Sequence, residues 1–307
     1  MLTQPRLQSD LLKDQVAIVT GGSRGIGGAT SEMLAANGTH VVIADVDCRA
    51  AQDEADEINK AFGDDCASPY VADLAATGVC DALVQDTMKA RGRLDIVINN
   101  AGYVWDGRVH AMSDKQFQAM LDIHLIVPFR MARACAPIFR ETAKREDAEA
   151  TPRHRKFIMV SSLAAQWGLI GAANYAAAKA GMLGLMRTLA QEWGSIRVNS
   201  NAVGFGIIQT RFGLPQSERE VIETGGRTIH VGMSMKQSEL MGVTIDPDHV
   251  PTNEEIYASK PDNRVALGRT GTIQEAADAI FWLASPLSDY VTGQLIAVGG
   301  GARGGMS

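Results

Sequence analysis

The sequence predicts an α/β fold: a three-layer, doubly wound parallel sheet forming a single domain, with a long insertion on the substrate side. Three observations carry this expectation. Short β-branched runs alternate with segments of helical character from about residue 15 to residue 200. The first of those runs passes straight into a glycine-rich turn. The chain of 307 residues, 46% hydrophobic and 21% charged, shows no internal repeat and no linker that would divide it. Alternation of this kind is what parallel sheets with helices on both faces require.

Taken in order, "VAIVT" (16–20), "HVVIAD" (40–45), "LDIVINN" (94–100), "KFIMVSS" (156–162) and "IRVNSNAV" (196–203) read as buried strands, and "QLIAVGG" (294–300) as the last one. Helices are expected over 25–37, 48–62, 76–91, 114–143 and 173–193. Two segments break the rhythm. Residues 141–155, "ETAKREDAEATPRHR", read as a helix running out into an exposed charged loop. Residues 211–266 are longer than a connection in a compact domain should be, and such lengths usually belong to functional lids or disordered segments. Phe212, Leu214, Met233, Met235, Leu240 and Met241 give this stretch apolar surface with which to cover a site.

Bulk properties exclude several classes. A formal net charge of -6 and a pI near 5.6 argue against a nucleic-acid or anionic-membrane surface. No apolar run reaches the roughly 18–20 residues of a membrane span. The N-terminal "MLTQPRLQSDLLKDQ" lacks the basic start and apolar core of a signal peptide. Cys48, Cys66, Cys80 and Cys135 have no metal-ligand spacing, and free thiols suit a reducing compartment. A cytoplasmic protein without disulfides or a metal site is expected.

The stretch "TGGSRGIGGA" (20–29) follows the first strand and opens the first helix. Gly21, Gly25 and Gly27 are spaced for a tight turn, a close backbone approach and a helix start. Such a turn aims backbone N–H groups at a pyrophosphate, as in Rossmann-type folds. The second strand ends in Asp45, where a carboxylate can accept hydrogen bonds from adenosine ribose hydroxyls and would repel a 2′-phosphate. Arg24 pulls the other way, since a cation in the turn could meet that phosphate. Asp45 sits where the ribose should lie, so NAD is the expected cofactor and NADP the alternative.

An ordered set of motifs then resembles the classical short-chain dehydrogenase/reductase family. They are "TGGSRGIG" (20–27), "ADL" (72–74), "NNAG" (99–102), Ser162 thirteen residues before Tyr175, and Tyr175-x-x-x-Lys179. The end, "VALGRTGTIQEAADAIFWLASPLSDYVTGQLIAVGGG" (265–301), is similar to the family's C-terminus. The resemblance spans roughly 14–301, the two irregular segments aside. It implies that Gly21, Ser23, Arg24, Gly25, Ile26 and Gly27 line the cofactor's phosphates, and that Asp73 and Leu74 flank its adenine. It further implies that Asn100, Ala101 and Gly102 lie along the cofactor, and that Ile208 and Thr210 hold the nicotinamide amide and a nearby phosphate. A homotetramer, or a dimer, is implied as well.

The expected chemistry is hydride exchange between a carbinol carbon and nicotinamide, which requires a proton to move on or off the oxygen. A phenol of ordinary pKa near 10 is a poor base at neutral pH. Tyr175 and Lys179 share one helix face, and a neighbouring ammonium and the positive nicotinamide ring stabilise phenolate. Tyr175 is thus the expected acid/base, Lys179 its partner and ribose clamp, and Ser162 the donor to the substrate oxygen. Ser161 should point to the opposite face of the strand.

Three departures from the family pattern stand out. His124, in "LDIHL", occupies the position of an asparagine that helps link the lysine to solvent. Histidine can donate and accept, so it is read either as a relay residue or as a packed helix side chain. Val203 stands for proline in "VGFG", and "VGGG" (298–301) replaces "VDGG". Trp167, Ile170, Phe205 and Phe212 suggest an apolar wall, hence a bulky hydrophobic alcohol or ketone. The alternatives are an NADPH-dependent 3-oxoacyl thioester reductase and a non-catalytic dinucleotide-binding protein. A serine hydrolase is disfavoured because no nucleophile-elbow pattern surrounds Ser162.

Overall fold

Valine and isoleucine dominate the inner strands because these are covered on both faces, where β-branched side chains fit a pleated surface. A computed structural model describes residues 10–210, 221–230 and 265–302. Its strands are β1 (Val16–Thr20), β2 (His40–Asp45), β3 (Ala67–Val71), β4 (Ile96–Asn99), β5 (Arg155–Ser162), β6 (Val198–Phe205), a separate pair β7 (Val221–Thr224) and β8 (Arg227–His230), and β9 (Leu295–Val298). Seven of them form one parallel sheet in the order β3-β2-β1-β4-β5-β6-β9, and β7 pairs with β8 antiparallel. The order reverses between β1 and β4, whose ends meet at Thr20 and Asn99. In doubly wound sheets, ligands bind outside the strand ends at that switch point.

The helices are α1 (Gly25–Ala36), α2 (Cys48–Phe62), α3 (Val79–Arg91), α4 (Asp114–Leu121), α5 (Val127–Ala148), the short α6 (Ala164–Trp167), α7 (Ala173–Trp193) and α8 (Ile273–Ala284). Capping boxes start α4 (Ser113 with Gln116) and α8 (Thr272 with Glu275), and Asp47 caps α2 through Ala50 N–H. Alternate strand residues feed two cores. Ile18, Val42, Val97 and Phe157 meet Met131, Phe139 and Trp193 from α5 and α7 on one face. Ala17, Val19, Ile43 and Ile98 meet Leu34, Ile58 and Ile280 from α1, α2 and α8 on the other.

The structure revises several expectations. Strand β3 was not anticipated: it contains Pro69, which is tolerated because β3 lies on the sheet's edge. The helix expected over 114–143 is two helices joined by a π-turn at Asp122–Ile126, and the second runs on to Ala148. The charged stretch after it is not simply exposed. Arg155, 1% exposed, is bonded through Nη2 to Glu146 Oε1 at 2.5 Å, which ties the end of α5 to the start of β5. Of the expected 211–266 lid, only the β7–β8 hairpin and residues 265–266 fall among the described residues. Phe212, Leu214, Met233, Met235, Leu240 and Met241 lie outside them. Phe205 is no part of a substrate wall, since it is buried in the α1/α8 core.

Candidate active site

The switch point is built by one threonine and one asparagine. Thr20 Oγ1 accepts from the N–H groups of Asn100 and Ala101 at 2.9 and 3.0 Å. Asn100 Nδ2 donates back to the carbonyls of Thr20 and Gly21 at 3.1 and 2.9 Å. The "NNAG" segment is thus stapled to the glycine turn. Gly21 (φ 61°) and Gly25 (φ 56°) adopt left-handed backbone that favours glycine. A Cβ on Gly27 would stand 2.0 Å from the Gly21 carbonyl, whereas one on Gly25 would meet nothing within 4 Å. The turn is closed from behind and open in front.

Helix α1 begins there with no side-chain cap and no acidic residue in its first turn. Its N-terminal N–H groups and the positive end of its dipole are left for an anion. The residues present therefore fit a dinucleotide pyrophosphate. Ser23 Oγ donates to Asp45 Oδ2 at 2.5 Å and Asp47 N–H to Asp45 Oδ1 at 3.1 Å, so the acid is held at the edge of the turn. Arg24 is committed to Asp47, Nη1 to Oδ2 at 2.7 Å. Ile26 packs toward the α1/α8 core. Leu74 is buried, and Asp73 Oδ1 accepts from Ala75 N–H at 3.0 Å. The Ile208 side chain is buried in the core, while its neighbours exchange backbone bonds with Gly271 at 3.0 and 2.9 Å. Thr210 is the last described residue before 211–220.

The other half of the site lies on β5 and α7. Ser162 ends β5; its Oγ accepts from Ala164 N–H at 3.1 Å and stands near enough to the Tyr175 hydroxyl to lower its pKa. Ser161 faces away, buried, near the Lys179 carbonyl at 3.4 Å, as alternation requires. Lys179 is 4% exposed; its Nζ donates to the Val160 carbonyl at 2.6 Å and lies 5.6 Å from the Tyr175 ring centroid. Burial pushes the Tyr175 phenol up to about 12, against the lowering effect of Ser162 and with a smaller rise from Asp106. Burial draws Lys179 down to about 7. In the protein without ligands the phenol is thus raised rather than lowered, burial being the largest cause.

The π-turn carries His124, a setting frequent at functional sites. Its ring is 1% exposed, stands edge-on to Tyr175 with centroids 5.1 Å apart, and has Nε2 2.7 Å from the Tyr103 carbonyl. Nε2 must carry the proton to donate there, leaving Nδ1 as a buried acceptor with no partner among the described residues. Burial first, then the Lys179 charge, hold its pKa well below 6.5 against the Tyr103 bond, so the ring is neutral. Gly102 is glycine for a reason visible here: a Cβ would stand 2.2 Å from His124 Cε1.

Thr20 is not among the residues the motifs single out; its polar side chain at the end of an apolar strand is the signal the sequence offers. Asn174, fully buried next to Tyr175, is another: it donates to the carbonyls of Trp105 and Gln116 at 3.0 and 3.1 Å and fixes the start of α7. The structure brings Ser162, Tyr175, Lys179 and His124 together.

Comparison with known proteins decides the family. The short chain dehydrogenase family matches residues 15–220, and the family described as enoyl-(acyl carrier protein) reductase matches residues 243–303. The chain belongs to the short-chain dehydrogenase/reductase family. It is 29% identical over 293 residues to the 3-oxoacyl-[acyl-carrier-protein] reductase FabG of Chlamydia muridarum, covering 95% of this chain and 99% of that one. It is 31% identical over 296 residues to the short-chain reductase protein NovJ of Streptomyces niveus, covering 94% of each. Among solved structures it resembles the citronellol catabolism dehydrogenase AtuB of Pseudomonas aeruginosa PAO1, with a TM-score of 0.70, 26% identity, and coverage of 96% and 97%. As a short-chain dehydrogenase/reductase it is an oxidoreductase acting on CH–OH groups with NAD(P). No helix among the described residues is long and apolar enough to cross a membrane.

Proposed function

We propose that this short-chain dehydrogenase/reductase is NAD(H)-dependent and interconverts a secondary alcohol and a ketone on a bulky hydrophobic substrate. The observation that carries the reading is the meeting of Ser162, Tyr175 and Lys179 beside an uncapped helix start at the sheet's switch point. Bound nicotinamide gives or takes the hydride. This chain's own side chains manage the oxygen. Tyr175 moves the proton at its hydroxyl, Ser162 donates to the substrate oxygen and steadies its developing charge, and Lys179 favours phenolate and orients the ribose. His124 serves as a neutral relay residue through Nδ1, in the place of the family's asparagine.

The choice of NAD rests on two carboxylates, Asp45 and Asp47, standing where a 2′-phosphate would come, with Arg24 already paired. Asp73 with Leu74 would flank the adenine, Asn100 to Gly102 with Ile208 and Thr210 would border the nicotinamide side, and Gly21 to Gly27 would hold the phosphates. The apolar substrate is supported by Trp167, Leu169 and Ile170, which are 40%, 43% and 62% exposed on the segment following Ser162. That segment is bonded to the loop bearing the exposed Val109 through Gly107 N–H and the Gly171 carbonyl at 2.8 Å. The resemblance to a dehydrogenase of citronellol catabolism, citronellol being an apolar alcohol, points the same way. A homo-oligomer in the cytoplasm completes the reading; Phe117 and Phe129, exposed on α4 and α5, offer apolar surface for assembly.

The test is a panel of alcohols and ketones assayed with both dinucleotides, alongside direct binding of each. Tighter binding of NADH than NADPH, with turnover of apolar substrates, is expected. One second reading has specific support: relatives named 3-oxoacyl-[acyl-carrier-protein] reductase cover nearly the whole chain. Clear preference for NADPH together with reduction of 3-oxoacyl thioesters would establish it instead.

A further inference from the structure

Helix α7 begins at Ala172, whose side chain cannot cap, so the first N–H groups of the helix need partners from elsewhere. One partner comes from inside the helix: Asn174 Oδ1 accepts from the Tyr175 N–H at 2.8 Å. The same side chain directs both N–H bonds of Nδ2 to backbone carbonyls of other segments, Trp105 at 3.0 Å and Gln116 at 3.1 Å. An amide side chain has two donors and one acceptor oxygen, and Asn174 uses all of them in complete burial.

Trp105 belongs to the stretch that follows "NNAG", and Gln116 to α4. That stretch is pinned at three successive residues. The Trp105 carbonyl accepts from Asn174, the Asp106 carbonyl accepts from Gln116 Nε2 at 3.0 Å, and Gly107 N–H donates to the Gly171 carbonyl at 2.8 Å. Val109 follows, 76% exposed, on the side of the apolar segment 167–170. Asn174 therefore joins the residue that carries the phenol directly to a stretch bordering the expected substrate. Its partners lie off the glycine turn, Asp45 and Asn100.

We propose that Asn174 is a positioning residue for hydride transfer: by holding Trp105 and Gln116 from the position next to Tyr175, it fixes the stretch 105–109 relative to the phenol. The proposal rests on the reading of Tyr175 as the acid/base. Asn174 acts through geometry and touches no reacting atom. Proton transfer needs the substrate oxygen within hydrogen-bond reach of the phenol, and a misplacement of about 1 Å costs roughly a hundredfold in rate. Cofactor affinity, set by other residues, should not follow.

The experiment measures single-turnover hydride transfer from NADH to the apolar ketone that the full-length wild type reduces fastest, with the rate expressed per NADH-binding site. Asn174→Leu should be slower by roughly a hundredfold, with NADH affinity unchanged. Asn174→Asp keeps the acceptor for the Tyr175 N–H, but its carboxyl donates to a carbonyl only while protonated. Its rate relative to wild type should fall as pH rises from about 6 to about 9, while that of Asn174→Leu stays level. A side chain that only stabilises the fold would leave the rate per site at the wild-type value in both variants, and that result overturns the proposal. Loss of NADH affinity in step with the rate overturns it too, by placing Asn174 on the cofactor side. Should neither variant fold, Gln116→Met, which frees the Asp106 carbonyl of the same stretch, carries the test. A smaller slowing at unchanged NADH affinity is then expected, and a wild-type rate overturns the proposal. If the wild type reduces no ketone, or Tyr175→Phe transfers hydride as fast as wild type, the reading of Tyr175 falls and the role of Asn174 with it. If Tyr175→Phe is slow and Asn174→Leu is not, only the positioning role fails.

Discussion

Glu54, on the face of α2 turned toward α1, is the least comfortable carboxyl in the described structure. Its Oε1 is buried without a hydrogen-bond partner, 3.3 Å from where a Cβ on Gly28 would lie. Burial raises its pKa from 4.5 to about 7, helped by the charges of Glu32 and Glu57. Because the folded value lies above the unfolded one, the folded state binds the extra proton. Its stability contribution is full below 4.5 and is lost as pH rises through about 7. At about 1.4 kcal/mol per pKa unit the ceiling is roughly 3.4 kcal/mol. Glu54 is only half-buried and solvent screens the remainder, so about 1.5 kcal/mol is the realistic size. Glu54→Gln, which mimics the protonated acid, should therefore stabilise the protein at pH 8 by about that amount, or roughly 2–4 °C in Tm, and change little at pH 5. Thermal unfolding of both proteins across that range measures it. An equal shift at both pH values, or destabilisation at pH 8, would refute the reasoning.

Three further outcomes follow from the same geometry. His124→Asn should flatten the acid limb of stability: below pH 6.5 the unfolded histidine takes a proton the buried ring refuses, so wild type loses up to about 1.4 kcal/mol per pH unit there and the variant loses less, as urea unfolding at pH 5 and 7.5 would record. Gly27→Ala places a methyl 2.5 Å from Asn100 Nδ2 and 2.0 Å from the Gly21 carbonyl, so calorimetry should find dinucleotide binding lost. Glu146→Ala leaves Arg155 buried and unpaired, and should cost about 3–5 kcal/mol in denaturant unfolding; Glu146→Leu with Arg155→Met should recover most of it.

The strand runs were legible because burial on both faces writes itself as continuous valine and isoleucine. Spacing alone put Tyr175 and Lys179 on one helix face; their expected roles, and that of Ser162, came from the ordered set of motifs that resembles the family. What escaped has physical reasons. Edge strand β3 reads as a loop because an edge tolerates Pro69 and polar residues. The π-turn is invisible to a helical pattern, which sees only a continuous run from 114 onward. The Glu146–Arg155 pair looks exposed because charge suggests solvent until the fold brings the end of α5 against the start of β5. Nothing in "ADL" announces that Thr224 and Gly225 return to hold Asp73. The desolvation that raises Tyr175 is equally illegible, because it depends on how deeply the fold buries the phenol.

The central claim is that Tyr175 moves the proton while the glycine turn and the other cofactor residues hold the dinucleotide. Single-turnover hydride transfer in Tyr175→Phe, with NADH binding measured in parallel, tests it most directly. The account predicts a rate lower by at least about a hundredfold, the usual scale of acid–base catalysis, with NADH affinity changed little. A variant that transfers hydride at the wild-type rate while still binding NADH would contradict it.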